Sequence, residues 1–194
     1  MAFILQQNNI YLRAYAYNFI STEVLFMKAK LKEAWYKINP NIIYYLVGIA
    51  IPLTIGIISA ALTRDSMDIY GKFNVPPLAP PAILFPIVWT ILYVLMGISS
   101  AMVFQNRNNY VQGAKSGLLY YALSLVLNFA WSIVFFKLQA AFFAIIVLIF
   151  LLYSIIKTIL EYRRVCPVAA YLQIPYALWV TFAGYLNIGI WLLN

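Results

Sequence analysis

Long apolar runs separated by short polar breaks dominate the chain, and five of them are long enough to cross a membrane. They extend roughly from Ile42 to Leu62, Ala82 to Phe104, Ser116 to Phe136, Leu138 to Leu160 and Val168 to Leu193. A helix rises ~1.5 Å per residue, so about 20 apolar residues cover ~30 Å of hydrocarbon with every backbone polar group bonded internally. The breaks are PPLAPP (Pro76 to Pro81), QNRNNYVQGAK (Gln105 to Lys115) and EYRRVCP (Glu161 to Pro167). Lys137 alone marks the third turn, so the third and fourth helices are expected to form a tight hairpin. The predicted fold class is all-α, an integral membrane bundle of five transmembrane helices over residues 41–194, with a polar and basic tail over residues 1–40.

Composition agrees with this pattern. Hydrophobic residues make up 65% of the chain, charged residues 9%, and the mean hydropathy is +0.87, against about 45–50% apolar and about 25% charged in a soluble domain. Aromatic residues reach 18%, which fits both anchoring at the bilayer interface and the lining of an apolar pocket. The single cysteine, Cys166, and the lack of histidine rule out an intrachain disulfide and a Cys/His metal cluster. No metal site and no cofactor are expected.

A net charge of +8 raises the question of nucleic acid, but in so apolar a chain topogenic charge explains it better, and no nucleic-acid partner is expected. Arg13, Lys28, Lys30, Lys32, Lys37, Arg107, Lys115, Lys157, Arg163 and Arg164 fall on one side, and only Arg64, Lys72 and Lys137 on the other. That asymmetry predicts a cytoplasmic N-terminus if the protein lies in a plasma membrane. The stretch KAKLKEAWYKINP before the first span could form a basic amphipathic surface helix, although topogenic charge and a frayed terminus are the simpler account. The tail lacks an apolar core long enough for a signal peptide, and Met27, which opens the basic run, is expected to suffice as a start.

The spans contain no Asp, Glu or His, and Lys157 lies near enough to a helix end to snorkel. Ion-coupled pumps usually place such groups near the midplane, so a coupled pump is not expected. Nor does the sequence show a nucleophile with its base, a Walker loop or a dinucleotide fingerprint. What remains inside the membrane is Trp89, Tyr93, Ser124, Asn128, Trp131, Tyr176, Trp179 and Asn187. Asn128 and Asn187 need hydrogen-bond partners, across helices or on a ligand. Trp35 and Trp191 sit near span ends, where belt anchoring is natural, and Trp131 is expected to anchor or pack. Trp89 and Trp179 lie deeper, where a belt role is less natural. Pro52, Pro86 and Pro175 interrupt helices, while Gly48, Gly56 and Ala60, with Gly97 and Ala101, permit close helix approach.

Three ordered stretches on three helices carry a specific resemblance: PPLAPPAILFPIVWTILYVLMG (Pro76 to Gly97), LNFAWSIVFF (Leu127 to Phe136) and PYALWVTFAGYLN (Pro175 to Asn187). From about Ile42 to Asn194 the chain resembles the TspO/MBR family of tryptophan-rich sensory proteins, which includes the mitochondrial translocator protein. Its PPLAPP loop looks bacterial rather than animal. The resemblance implies a five-helix bundle, often a homodimer, with a ligand cavity under the first loop. Trp89 and Trp179 look like the two pocket tryptophans, Ser124 and Asn128 like the polar pair of helix three, Tyr70 like the first-loop tyrosine, and Ala183 like the small residue that sets pocket width. Tyr93 joins them as a pocket candidate.

The sequence departs from the family at Ile69-Tyr70, where the family has Trp-Tyr, and at Val75 to Pro81, where it has a Lys-Pro-x-Trp-x-Pro-Pro segment. Ile188 and Leu192 replace the tyrosine and basic residue of the animal cholesterol-recognition segment. The function implied is a membrane receptor or sensor for porphyrins or similar hydrophobic molecules, with lipid as the surrounding partner. An uncoupled transporter of such molecules would instead show flux in proteoliposomes without an ion gradient. A light- or oxidant-dependent porphyrin-degrading enzyme would lose product formation, but not binding, on Trp89→Phe. No catalytic residue is otherwise assigned.

Overall fold

Helix α1 spans Asn41–Thr63, α2 Leu84–Gln105, α3 Val111–Ser132, α4 Ala141–Val165 and α5 Pro167–Leu193. They are seen in a computed structural model that describes Leu25, residues 41–64 and residues 73–194. The basic amphipathic segment, Trp35 and the Ile69-Tyr70 pair lie outside the described residues. All five helices are long and apolar enough to cross a bilayer, and no strand occurs among the described residues.

The helices outrun the apolar segments that announce them. An apolar run marks the part of a helix inside hydrocarbon, whereas good helix formers such as Gln112, Lys115, Glu161, Arg163 and Arg164 continue the same helix into the headgroup region. EYRRVCP is therefore not a loop. Glu161–Val165 closes α4, Cys166 alone is extended (φ −151°, ψ 101°), and Pro167 starts α5 at the position where a missing amide N–H costs nothing. Arg164 Nη1 meets Glu161 Oε1 at 3.1 Å on this surface, an exposed pair that contributes little stability. The expected tight hairpin between the third and fourth helices is present. However, α3 passes into a π-helical turn, Ile133–Lys137, and Gln139 takes a left-handed conformation (φ 53°), so α4 starts at Ala141 rather than Leu138.

Helices α2, α5, α4 and α3 pack in that order around the core, and α3 also meets α2. Helix α1 is attached to α2 where two glycines face each other. A Cβ on Gly48 would lie 2.6 Å from the Gly97 carbonyl oxygen, and one on Gly97 would lie 2.4 Å from Ile49 Cα. Gly56 faces Tyr93 in the same way, its added Cβ falling 2.3 Å from the ring. These contacts match the small-residue spacing read from the sequence, because in lipid helix association depends on close packing.

Polarity runs from inside to outside. Leu119, Leu123 and Val126 of α3 and Phe143, Ile149 and Phe150 of α4 are exposed, while Ser99, Ser124, Asn128, Ser154, Thr158, Gln173 and Asn187 are buried. Lipid tails solvate the former as well as a core would, but offer the latter no hydrogen bond, so the polar groups turn inward.

Candidate functional site

A cavity of about 220 Å³ lies between α1, α2 and the end of α3. Leu53, Gly56 and Ser59 form one wall, Phe85, Trp89 and Tyr93 the second, and Trp131, Ser132 and Phe136 the third. Its rim includes Ile57, which is 68% exposed, and the exposed Ala60, Pro86 and Thr90. Since these rim residues lie within apolar spans, the cavity opens sideways, through the outer face of the bundle. The volume is below the ~300–1,000 Å³ of sites that enclose drug-sized ligands, so a tetrapyrrole would have to extend through that opening.

The walls are aromatic and braced. Trp89 lies 5.4 Å from Tyr93, centroid to centroid, and 6.1 Å from Tyr176 in an edge-to-face contact. Asn128 Nδ2 donates to the Tyr93 hydroxyl at 3.2 Å from α3, fixing a ring of the cavity wall. Trp131 is buried, stacks on Phe135 at 5.4 Å, and donates its indole N–H to Asn187 Oδ1 at 3.2 Å. Asn187 Nδ2 in turn donates to the Ala141 carbonyl at 3.0 Å. Only one orientation of the Asn187 amide satisfies both bonds, which ties α3, α4 and α5 together beside the cavity.

The candidate residues do not all share one wall. Trp89 and Tyr93 line the cavity, Asn128 holds Tyr93, and Ser124 lies deeper, donating to the Tyr121 carbonyl at 2.7 Å. Trp179 packs edge-on against Phe85 at 6.0 Å and does not line the cavity, and its buried indole N–H is unpartnered. Ala183 borders a small void of about 10 Å³ that shares Phe85, Trp131 and Phe136 with the cavity. Trp191 is half-exposed near the end of α5, against Phe142 at 5.6 Å, away from the cavity lining.

Sequence reading did not single out Gln173. It is buried in α5 and donates to Ser99 Oγ at 3.1 Å, while Ser99 donates to the Ala169 carbonyl at 2.8 Å, clamping α5 to α2. It also missed the tie between the first loop and the end of α5. Asn74 N–H donates to Asn194 Oδ1 at 3.0 Å, and Asn194 Nδ2 returns a bond to the Asn74 carbonyl at 3.0 Å. Tyr185 donates to the Pro77 carbonyl at 2.8 Å, and Pro76 rests on Gly189 with no room for a Cβ between them. The one signal for this tie was the pair of prolines beside a helix end that carries Gly189 and Asn194.

Comparison with known proteins bears on this arrangement. The model of the TspO/MBR family matches residues 48–192. The chain belongs to the TspO/MBR family. It is 34% identical over 159 residues to the tryptophan-rich protein TspO of Chlorobaculum tepidum, covering 80% of this chain and 99% of that protein. It is 35% identical over 125 residues to protein CrtK of Rhodobacter capsulatus, covering 64% of this chain and 78% of CrtK. It is 32% identical over 137 residues to the translocator protein of Bos taurus, covering 70% of this chain and 81% of that protein. TspO/MBR membership together with the five apolar helices makes this an integral, multi-pass membrane protein. Relatives named as sensory and translocator proteins place it among membrane proteins of receptor or transporter type.

Proposed function

We propose that the chain is a membrane receptor that binds a porphyrin or a similarly flat hydrophobic molecule against Trp89 and Tyr93. The observation that carries this reading is the sideways-open aromatic cavity: a flat ring entering from the bilayer would meet Trp89 and Tyr93, and Tyr93 is held in place by Asn128. Aromatic faces stack on a tetrapyrrole, while a few polar groups orient it. With no histidine in the chain, haem iron lacks its commonest axial ligand, so a metal-free ring held by shape is favoured.

Titrating the purified protein in parallel with free-base porphyrin, haem and a sterol tests this. Porphyrin should quench tryptophan emission saturably, and Trp89→Leu should weaken its binding by ~0.5–1.5 kcal/mol, the worth of an aromatic pair beyond buried area. Trp191→Leu, far from the lining, should leave affinity unchanged. Equal losses from both variants, or from neither, would place the ligand elsewhere.

We further propose a plasma-membrane location with a cytoplasmic N-terminus, on the strength of the Lys and Arg asymmetry. Cys166, half-buried between α4 and α5 at the Arg-rich end, should then react with a membrane-impermeant thiol reagent only in permeabilised cells. Labelling of intact cells would reverse the orientation.

A further inference from the structure

Lys157 is the one charged residue in the apolar length of α4, and Val165 closes that helix only two turns later, about 12 Å further on at ~1.5 Å per residue. An ionised side chain within a span ordinarily faces the bundle interior or a water-filled cavity and is paired there. Lys157 does neither. It is half-buried on the outer side of α4, beside the exposed Tyr153, Ile156 and Leu160. Among the described residues its ammonium meets only the Tyr153 ring, whose centre lies 5.7 Å from Nζ, and it forms no ion pair.

The chain offers it no anion. Glu161, one turn nearer the headgroups, is the only acidic side chain among the described residues, and Arg164 Nη1 already holds both of its oxygens, Oε1 at 3.1 Å and Oε2 at 3.3 Å. Reaching outward from Lys157 therefore leads to a carboxylate that is engaged. A ring face attracts a cation less strongly than an anion does, so an ammonium at this depth still lacks its natural partner. Lys115, Arg163 and Arg164, all exposed, add positive charge at the same end of the bundle.

Helix α3 completes the surroundings. Gly117 faces Glu161 and Tyr162 across the seam between α3 and α4, where an added Cβ would lie 3.2 Å from the Glu161 Cβ and 2.7 Å from the Tyr162 ring. The two helices are antiparallel, so Tyr120, one turn further into the membrane than Gly117, stands at about the depth of Lys157. The half-buried Tyr120 ring meets Tyr153 edge-on at 6.5 Å, so Tyr120 and Lys157 share one ring. Beyond them toward the third turn, the exposed Leu123 and Val126 of α3 and Ile149 and Phe150 of α4 are wholly apolar.

We propose that the outer seam of α3 and α4 at Tyr120, Tyr153 and Lys157 is a binding site for an anionic phospholipid, whose phosphate pairs with Lys157 while its acyl chains run along the apolar remainder of the two helices. An anionic headgroup suits this end of the bundle, where a zwitterionic one would bring its own ammonium against Arg163 and Arg164. No residue of α4 lines the cavity, so the site does not depend on what the cavity binds.

Melting of the full chain in nanodiscs of phosphatidylglycerol and of phosphatidylcholine, followed by circular dichroism, tests the proposal. The parent protein should melt several degrees higher in phosphatidylglycerol. Lys157→Met should remove most of that gain while melting no lower than the parent in phosphatidylcholine, since it takes an unpaired charge out of the span. Arg163→Gln, an exposed cation at the same end, should keep the gain. A full gain in Lys157→Met would overturn the site, and so would an equal loss in Arg163→Gln, which would mean diffuse attraction to a basic surface. Millimolar inorganic phosphate added to the phosphatidylcholine discs should not reproduce the gain; if it does, a free anion and not a lipid occupies the seam, and the proposal fails.

Discussion

Gly97→Val is expected to strip α1 from the bundle and to lower stability by more than ~3 kcal/mol, beyond the usual cost of overpacking. The reason is the identity of the atoms in the way. A Cβ at Gly97 would meet Ile49 Cα at 2.4 Å and Ile49 N and the Gly48 oxygen at 2.7 Å. These are backbone atoms of a helix, which cannot rotate aside as a side chain would, so relief requires the whole of α1 to move outward. Since α1 supplies one complete wall of the cavity, the same change should abolish ligand binding. Gly184→Ala is the control, because nothing lies within 4 Å of a Cβ there. Thermal unfolding in detergent, followed by circular dichroism, measures both. If Gly97→Val melts at the temperature of Gly184→Ala, the contact between α1 and α2 has been misjudged.

That contact also shows what was legible in the chain. Gly48, Gly56 and Gly97 could be read as approach points because small residues at helical spacing within apolar spans have few other uses. Asn128 and Asn187 could be read as needing partners, since an amide in hydrocarbon must bond to something, and both bond across helices. Trp89 could be separated from Trp191 by depth alone. Helix ends were less legible, because hydropathy reports the lipid-buried length: Lys115 and Glu161 lie in helices although they stand in polar breaks.

The distribution of the candidate site was not legible either. Trp179 belongs to the same motif whether it faces the cavity or backs Phe85, and only the rotation of α5 decides between the two. Gln173 gave no signal because a glutamine two positions before Pro175, early in a helix, usually reaches solvent.

Asn187→Ala is the second change expected to have a large effect, and its size follows from what would be left behind. Asn187 is 1% exposed, accepts the Trp131 indole N–H and donates to the Ala141 carbonyl. The carbonyl has a second call on it from within α4, because a helix carbonyl accepts from the amide four residues on. The indole N–H has no such alternative. It would become a buried, unpartnered donor, which costs about 1–3 kcal/mol beyond the lost bond. Truncation would also enlarge the small void that Asn187 borders with Trp131 and Phe135, adding a cavity term. Asn128→Ala should cost less, since it breaks the single bond to Tyr93 and removes an oxygen that had no protein partner. Asn187→Leu separates polarity from volume, for it refills the space without restoring an acceptor. Both Asn187 variants should therefore melt well below the parent protein, with Asn128→Ala between them and the parent. A leucine at position 187 that restores the parent's melting temperature would mean that Asn187 fills space there and that its bond to Trp131 contributes nothing.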